Sequence, residues 1–343
     1  MIQKCISGIL CFLVLGHLSV HPANAQIWNA VSRKANLAVI TGYLRTYSTQ
    51  YPRAEVWTLK PFKRRSILEL GQAWETSPAI SASGKLVAFG LTDSTIEIFE
   101  TRTGKLWKKL GQPQYNEQDG QYLFQIYTIS FAPNGKTIAT GNRKGLFVWS
   151  LRDGKLLFSR KVPTVGKLEN WGTHRILFSP DSRSIVVSTN SGWRHMLYKF
   201  DVKRKQFGVQ YRTYSEDGGP LVVEFSPNGR RLLVSSDWDT NWNDSKGSFD
   251  QICVFESNSG RALWRWNNRA IKSEQHDTAN YLTLSAWSND GKRVAIGNEH
   301  ELQIHDARTG KLLLKRALAK SEYATDPPTF QQQKRFHPQL NIH

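Results

Sequence analysis

Two stretches of the sequence place metal-ligating side chains at close spacing. From Asp237 to Asp244 the chain reads DWDTNWND, with oxygen-bearing side chains at alternate positions, as in calcium-binding loops. Such a loop needs glycine at its sharp turn and a bidentate acid at its twelfth position. Trp242 and Ser248 occupy those positions here. The sequence favours a solvated polar loop over a calcium site and leaves both open.

The second stretch combines Glu299, His300 and Glu301 with His305. In an extended strand, residues five apart point to opposite faces, so the two histidines would not converge on a metal. We therefore predict no metal site and no cofactor. The motifs G-x-S-x-G and H-E-x-x-H and the glycine-rich phosphate loop are also missing from the sequence, so no catalytic residue is assigned.

A repeated segment indicates which elements must position the remaining side chains. The turn FSPNG at 225–229 has counterparts that start with an apolar residue and reach a turn at the fifth position. These are VSRKA from Val31, ISASG from Ile80, FAPNG from Phe131, FSPDS from Phe178 and WSNDG from Trp287. Six copies at a spacing of about 50 residues, with a wider last step, indicate a repeat architecture.

One copy, from Arg175 to Arg212, shows the content of the repeat. Four short apolar runs, RILFS, SIVVST, LYKFDV and QFGVQYR, are separated by turn-forming residues. They predict four antiparallel strands, named a, b, c and d in chain order. Proline and glycine suit the tight a–b turns, and glycine recurs in the c–d turns, as in Arg102-Thr103-Gly104-Lys105.

The end of strand c carries a recurring pair, an aromatic residue or histidine followed by an acid. The pairs are Phe99-Glu100, Phe200-Asp201, Phe255-Glu256 and His305-Asp306. With the turns above, the chain resembles the WD-repeat family and, secondarily, the TolB-type propeller repeats of exported bacterial proteins. The resemblance implies an all-β fold, a β-propeller of four-stranded antiparallel blades. The copies predict six complete blades, and an F-x-P segment at Phe336 could begin a partial seventh blade or supply a strand that closes the ring.

The N-terminus has the pattern of a secretory signal. Lys4 precedes an apolar run, which ends at Ala23-Asn24-Ala25. We expect residues 1–25 to be a signal peptide and residues 26–343 to form a single propeller domain, periplasmic or extracellular. The apolar run is short for a membrane anchor, and no later stretch reaches the length of a membrane span. Cys253 is then the one remaining cysteine, and we expect it to be a buried apolar residue.

The charge of the chain points to an anionic partner. The formal net charge is +18. Nucleic acid is disfavoured because an exported protein rarely meets it, which leaves an envelope polyanion or an acidic protein. In antiparallel blades the a–b and c–d turns share one rim, which we name the turn rim. Its candidate anion-binding residues are Lys105, Lys155, Arg204, Lys205 and Lys311. The alternative is that these cations only keep the tight turns soluble.

The b–c and d–a connections form the opposite loop rim, which is longer and more acidic. It carries aromatic residues suited to contact a protein or peptide. The candidates are Tyr43, Tyr47, Tyr51, Trp193, Trp238 and Trp242. Packing of these side chains within their own loops is the alternative.

Three functions compete at this level. The first is an exported, non-enzymatic scaffold that binds a protein or peptide through the loop rim. The second is an exported propeller hydrolase or lyase with acids at the channel mouth. The third is a polyanion-binding module that uses the turn rim.

Overall fold

The computed structural model describes twelve segments of the chain. They are residues 27–32, 35–42, 53–70, 78–91, 93–111, 125–163, 170–191, 194–212, 220–236, 251–267, 284–297 and 301–317. Within these segments, every regular secondary-structure element is a β-strand. The proposed signal at 1–25 and the F-x-P segment at Phe336 lie outside them, so both stay predictions.

Blades 1 to 3 come from the first half of the chain. The strands of blade 1 are β1 (Ile27–Ser32), β2 (Leu37–Gly42), β3 (Arg53–Leu59) and β4 (Phe62–Glu69). The strands of blade 2 are β5 (Ala79–Ile80), β6 (Leu86–Gly90), β7 (Ile96–Glu100) and β8 (Leu106–Leu110). The strands of blade 3 are β9 (Thr128–Phe131), β10 (Thr137–Asn142), β11 (Gly145–Ser150) and β12 (Leu156–Arg160).

Blades 4 to 6 repeat the pattern. The strands of blade 4 are β13 (Asn170–Phe178), β14 (Ser184–Ser191), β15 (Arg194–Asp201) and β16 (Gln206–Tyr211). The strands of blade 5 are β17 (Pro220–Phe225), β18 (Arg231–Ser236), β19 (Gln251–Glu256) and β20 (Ala262–Asn267). The strands of blade 6 are β21 (Leu284–Trp287), β22 (Arg293–Gly297), β23 (Glu301–Asp306) and β24 (Leu312–Ala317).

Each blade is a separate four-stranded sheet in which strands a, b, c and d are hydrogen-bonded neighbours in chain order. All pairings are antiparallel, as between β14 and β15, where Ile185 lies opposite Phe200. The prediction of an all-β fold with six four-stranded antiparallel blades is therefore confirmed. The structure starts strand a of blade 4 at Asn170, earlier than the expected Arg175, because the apolar pattern does not mark the polar first residues of this strand.

The core lies between blades. Strands b and c of a blade are buried on both faces, as the run of buried residues in β7 shows. The side chains collect into five clusters, each shared by two consecutive blades. Val56 of blade 1, for example, belongs to the same cluster as Val87 of blade 2. A strand can be buried on both faces only if another blade covers each face, so burial couples each blade to its neighbours.

The aromatic position at the end of strand c is buried between blades, as predicted. Phe200 is fully buried, with its ring centroid 5.7 Å from that of Phe158 in blade 3 and 5.0 Å from that of Phe207 in its own blade. Trp149 is half-buried, and its indole N–H donates to Thr140 Oγ1 at 3.2 Å. These side chains anchor strand c to the core that the blades share.

In blades 2, 3, 5 and 6, glycine in the c–d turn lets the blade approach the preceding one closely. Gly310 has φ of 72°, and a Cβ atom there would lie 2.7 Å from Trp264 Cγ on strand d of blade 5. Gly104 has φ of 73°, and its Cβ would lie 2.3 Å from the carbonyl oxygen of Ile67 in blade 1. Both the backbone conformation and the close packing require glycine.

Candidate interaction surface

Backbone hydrogen bonds tie the two kinds of turn together and place them on one rim. In each blade an amide of the c–d turn donates to a carbonyl of the a–b turn at 2.9–3.0 Å. The bonds run from Leu59 to Asn36, Thr101 to Lys85, Leu151 to Lys136, Val202 to Arg183, Ser257 to Arg230 and Ala307 to Lys292. The turn rim predicted from antiparallel connection is thus a hydrogen-bonded and well-defined surface.

The a–b turns need one residue in the left-handed conformation. Glycine fills it in four blades, as at Gly84 with φ of 68°, and Ser182 fills it in blade 4 with φ of 61°. In blade 1 the left-handed residue is Asn36, with φ of 57°. It lies one position after Ala35, the residue that the comparison of the six repeats placed at the turn. Asparagine tolerates this conformation better than alanine, because its short polar side chain can bond locally.

The acids of the turn rim are engaged by donors of their own turns. Asp306 accepts from the amide and hydroxyl of Thr309, both at 2.8 Å, and these bonds hold its pKa below the usual value. The Ser288 hydroxyl, at 2.6 Å, and the Lys292 amide, at 2.9 Å, lower the pKa of Asp290 in the same way. These carboxylates therefore act mainly as turn-stabilising acceptors.

The five cations predicted to bind an anion lie on this rim and are exposed. They are Lys105, Lys155, Arg204, Lys205 and Lys311. Within the part of the chain that the structure describes, none of the five forms an ion pair. The Lys205 ammonium lies 5.4 Å from the Phe158 ring centroid, a cation–π contact. The charged groups of the other four remain open to solvent and to a partner.

Two lysines that the sequence analysis did not single out have a different task. Lys108 Nζ donates to the carbonyl oxygens of Leu151 and Arg152 in the next blade, each at 2.9 Å. Lys199 Nζ donates to Asn258 Oδ1 at 2.7 Å and to the carbonyl of Ser257 at 3.3 Å, and burial lowers its pKa. Their positions within strands, away from the turns, are the sequence signal that distinguishes them from the turn lysines.

The candidate partner-binding aromatics of the loop rim all lie outside the described residues. They are Tyr43, Tyr47, Tyr51, Trp193, Trp238 and Trp242. The polar stretch from Asp237 to Asp244 lies outside them as well. The structure therefore tests neither partner binding at the loop rim nor the calcium alternative, and both remain predictions from the sequence.

Cys253 and His305, two side chains of reactive types in the described segments, are built into the core. Burial raises the pKa of the Cys253 thiol to about 11, so the thiol is protonated and inert at neutral pH. His305 stacks on Trp264 of blade 5, and its ring nitrogens lie 2.9 Å from Gly310 O and 2.9 Å from Gln303 Oε1. Among the described residues, His, Cys, Asp and Glu side chains form no group of three that could hold a metal.

Comparison with known proteins supports the architecture. No family model matches the chain. Pre-mRNA-processing factor 19 from Schizosaccharomyces pombe is 27% identical over 130 residues, which cover 35% of this chain and 24% of that protein. The similarity thus spans about a quarter of the relative's length.

Over the described segments, no helix is long and apolar enough to cross a membrane.

A solved structure resembles almost the whole chain. Hydrazine synthase from Kuenenia stuttgartiensis aligns with a TM-score of 0.61 at 12% identity, covering 87% of this chain and 89% of that one. At such low identity the likeness shows the fold alone. Together with the six four-stranded sheets, it identifies the chain as a β-propeller.

Proposed function

We propose that this protein is an exported, non-enzymatic scaffold that binds an anionic partner in the cell envelope through its turn rim. The observation that carries the proposal is the pairing pattern of the rim. Its acids accept hydrogen bonds within their own turns, as Asp306 does, whereas Lys105, Lys155 and Lys311 are exposed and form no ion pair among the described residues. An acidic surface would find these cations available.

The rigidity of the rim supports the same function. Each c–d turn is bonded to the a–b turn of its own blade, and in blades 2 to 6 strand d of the preceding blade donates a hydrogen bond to it as well. Ser66 Oγ, for example, donates to the carbonyl of Thr101 at 2.9 Å. Cations on a surface held in this way lose little conformational freedom in the backbone when a partner binds, which favours affinity.

Binding of a protein or peptide through the loop rim is a separate prediction. Its test is truncation of Trp193, Trp238 and Trp242 to alanine, with capture of a crosslinked partner and thermal melts measured on the same variants. A real anchor should cost about 2 kcal/mol or more of binding free energy. If all three variants capture the partner as well as the wild type does, the prediction that the loop rim binds it is wrong.

Charge reversal tests the turn rim directly. The variant Lys105→Glu, Lys155→Glu and Lys311→Glu should elute from an anionic resin at a much lower salt concentration than the wild type, because three contact cations become repulsive. The matched control is Arg143→Glu, Lys161→Glu and Arg212→Glu, which changes the same number of exposed cations at the loop-rim ends of strands. Equal shifts of the two variants would show that the charge acts diffusely and would contradict the proposal.

A further inference from the structure

The large apolar side chains that are exposed share one location. Among the described residues they all lie on strands d, the outer edges of the blades, and each is 41–53% exposed. They are Phe62 and Ile67 in blade 1, Leu106 and Trp107 in blade 2, Leu156 and Leu157 in blade 3, and Leu312 and Leu313 in blade 6. Single exposed apolar residues are normal on a protein surface, but their concentration on the strand-d edges of four blades is a feature that needs a reason.

The outer edges of blades 4 and 5 differ. Strand d of blade 4 begins with the exposed Gln206 and the half-buried Phe207. Strand d of blade 5 begins with Ala262 and Leu263, both half-buried. The exposed apolar residues are thus a property of particular blades and not of the repeat itself.

A cation of the turn rim comes directly before the exposed apolar residues. Lys105 precedes Leu106, and Lys155 precedes Leu156, while Lys60 and Pro61 lead into Phe62. In blade 6, Lys311 likewise precedes Leu312. We name the sites in the three consecutive blades 1 to 3 the basic-apolar corner, because direct contacts join these blades. Because an apolar side chain follows the exposed lysine at each site, the corner offers a partner positive charge and apolar surface together.

Contacts between blades hold the corner together. Ser66 Oγ joins blade 1 to the c–d turn of blade 2 at 2.9 Å, and Lys108 Nζ joins blade 2 to the c–d turn of blade 3 at 2.9 Å. Phe62 stacks on Trp57 with ring centroids 4.9 Å apart. The Lys108 ammonium also lies 4.8 Å from the Trp107 ring centroid. The exposed groups therefore project from a fixed frame.

We propose that the basic-apolar corner binds the surface of a bilayer that contains anionic lipids. This inference rests on the proposed anion-binding role of the turn rim and names the partner. A bilayer interface accepts lysine at its phosphates and accepts leucine, tryptophan and phenylalanine at the boundary of its acyl chains. A protein partner would have to supply a fitted pocket for each projecting side chain, whereas a fluid lipid surface adapts to all of them.

Vesicle flotation tests the inference. The wild type should float with vesicles of phosphatidylcholine and phosphatidylglycerol at a ratio of about 7:3, and should bind pure phosphatidylcholine vesicles about tenfold more weakly. The variant Leu106→Ser and Leu156→Ser should lose about tenfold in binding to the anionic vesicles, because it keeps every cation but lacks two apolar groups. Its retention on an anionic resin should equal that of the wild type.

The control is Gln206→Ser, which changes the exposed first residue of strand d in blade 4, removes no apolar group and should leave vesicle binding nearly unchanged. Equal losses in the two variants would show that the apolar side chains are not the cause and would overturn the inference. If the wild type binds the resin but not the vesicles, or if the corner variant floats like the wild type, the partner is an acidic macromolecule and the lipid inference is wrong. If the wild type binds neither resin nor vesicles, the proposed function fails as well. Thermal melts show whether each variant is folded.

Discussion

At the junction of blades 2 and 3, Lys108 donates to two carbonyls of the next c–d turn, and at the junction of blades 4 and 5, Lys199 donates to the equivalent turn. The outer surfaces of the two junctions differ. Blade 2 exposes Leu106 and Trp107 beside Lys105, whereas strand d of blade 4 begins with the polar Gln206 and the half-buried Phe207. The inter-blade contacts that form the fold repeat from blade to blade, and the apolar character of the outer edges does not.

The largest expected effect is a difference in the free energy of unfolding between a substitution inside a junction and one on its outer edge. Phe200→Ala removes a fully buried ring that packs against Phe158 and Phe207, and should lower the free energy of unfolding by about 3–5 kcal/mol. Leu156→Ser, on the exposed edge of blade 3, should change it by less than about 0.5 kcal/mol. Urea denaturation measures both. Similar losses in the two variants would mean that the outer edge is also structural.

A smaller effect should distinguish a turn glycine packed on its neighbour from one at the open rim. Gly310→Ala and Gly135→Ala both force alanine into the left-handed region, which costs about 1–2 kcal/mol. At Gly310 the new Cβ would also meet the Trp264 ring, whereas at Gly135 no atom lies within 4 Å. Gly310→Ala should therefore lose about 1–3 kcal/mol more than Gly135→Ala in chemical denaturation. Equal losses would show that the blades do not pack closely at this turn.

Tyr211→Phe should have a modest effect at the junction of blades 4 and 5. Burial raises the pKa of Tyr211 to about 12, so its hydroxyl stays a donor to Ser257 O, and its loss should cost about 0.5–1.5 kcal/mol of unfolding free energy. Tyr198→Phe is the control, since the structure gives the Tyr198 hydroxyl no hydrogen bond among the described residues. Thermal denaturation of both variants measures the difference. A control as destabilised as Tyr211→Phe would place the effect in packing.

The smallest effect concerns acid stability of the turn rim. Asp290 and Asp306 have lowered pKa values because their turns donate hydrogen bonds to the ionised form. Such groups contribute stability above the pKa of an unfolded aspartate, about 3.9, and the contribution is lost as pH falls through the lower folded pKa. The melting temperature should therefore fall less steeply between pH 5 and pH 3 in the double variant Asp290→Asn and Asp306→Asn. Identical slopes in wild type and variant would contradict this assignment.

The strands and turns were accessible from the sequence because they depend on local rules. Apolar runs bounded by Pro, Asn and Gly predict strands and tight turns, and the recurrence of those turns gives the blade number. Where the local pattern is ambiguous, the predicted turn position is off by one residue. The repeat comparison placed the turn residue of blade 1 at Ala35, but the left-handed residue is Asn36. The roles of individual lysines depend less on local sequence. The sequence identified Lys105, Lys155 and Lys311 on the turn rim, but the structural role of Lys108 depends on the carbonyls of a neighbouring blade.

By itself the sequence determined the β-propeller, because a repeat of four amphipathic or apolar strands can bury both faces only against copies of itself. It also determined which turns share a rim, since antiparallel connection fixes their direction. The tertiary structure decided which cations hold blades together and which remain open, and which apolar side chains of strands d stay exposed. Lys108 and Lys105 lie three residues apart, yet Lys108 reaches the carbonyls of blade 3 while Lys105 projects to solvent. The sequence indicates that Lys108 lies in a strand and Lys105 in a turn, but packing between blades decides which carbonyls Lys108 reaches.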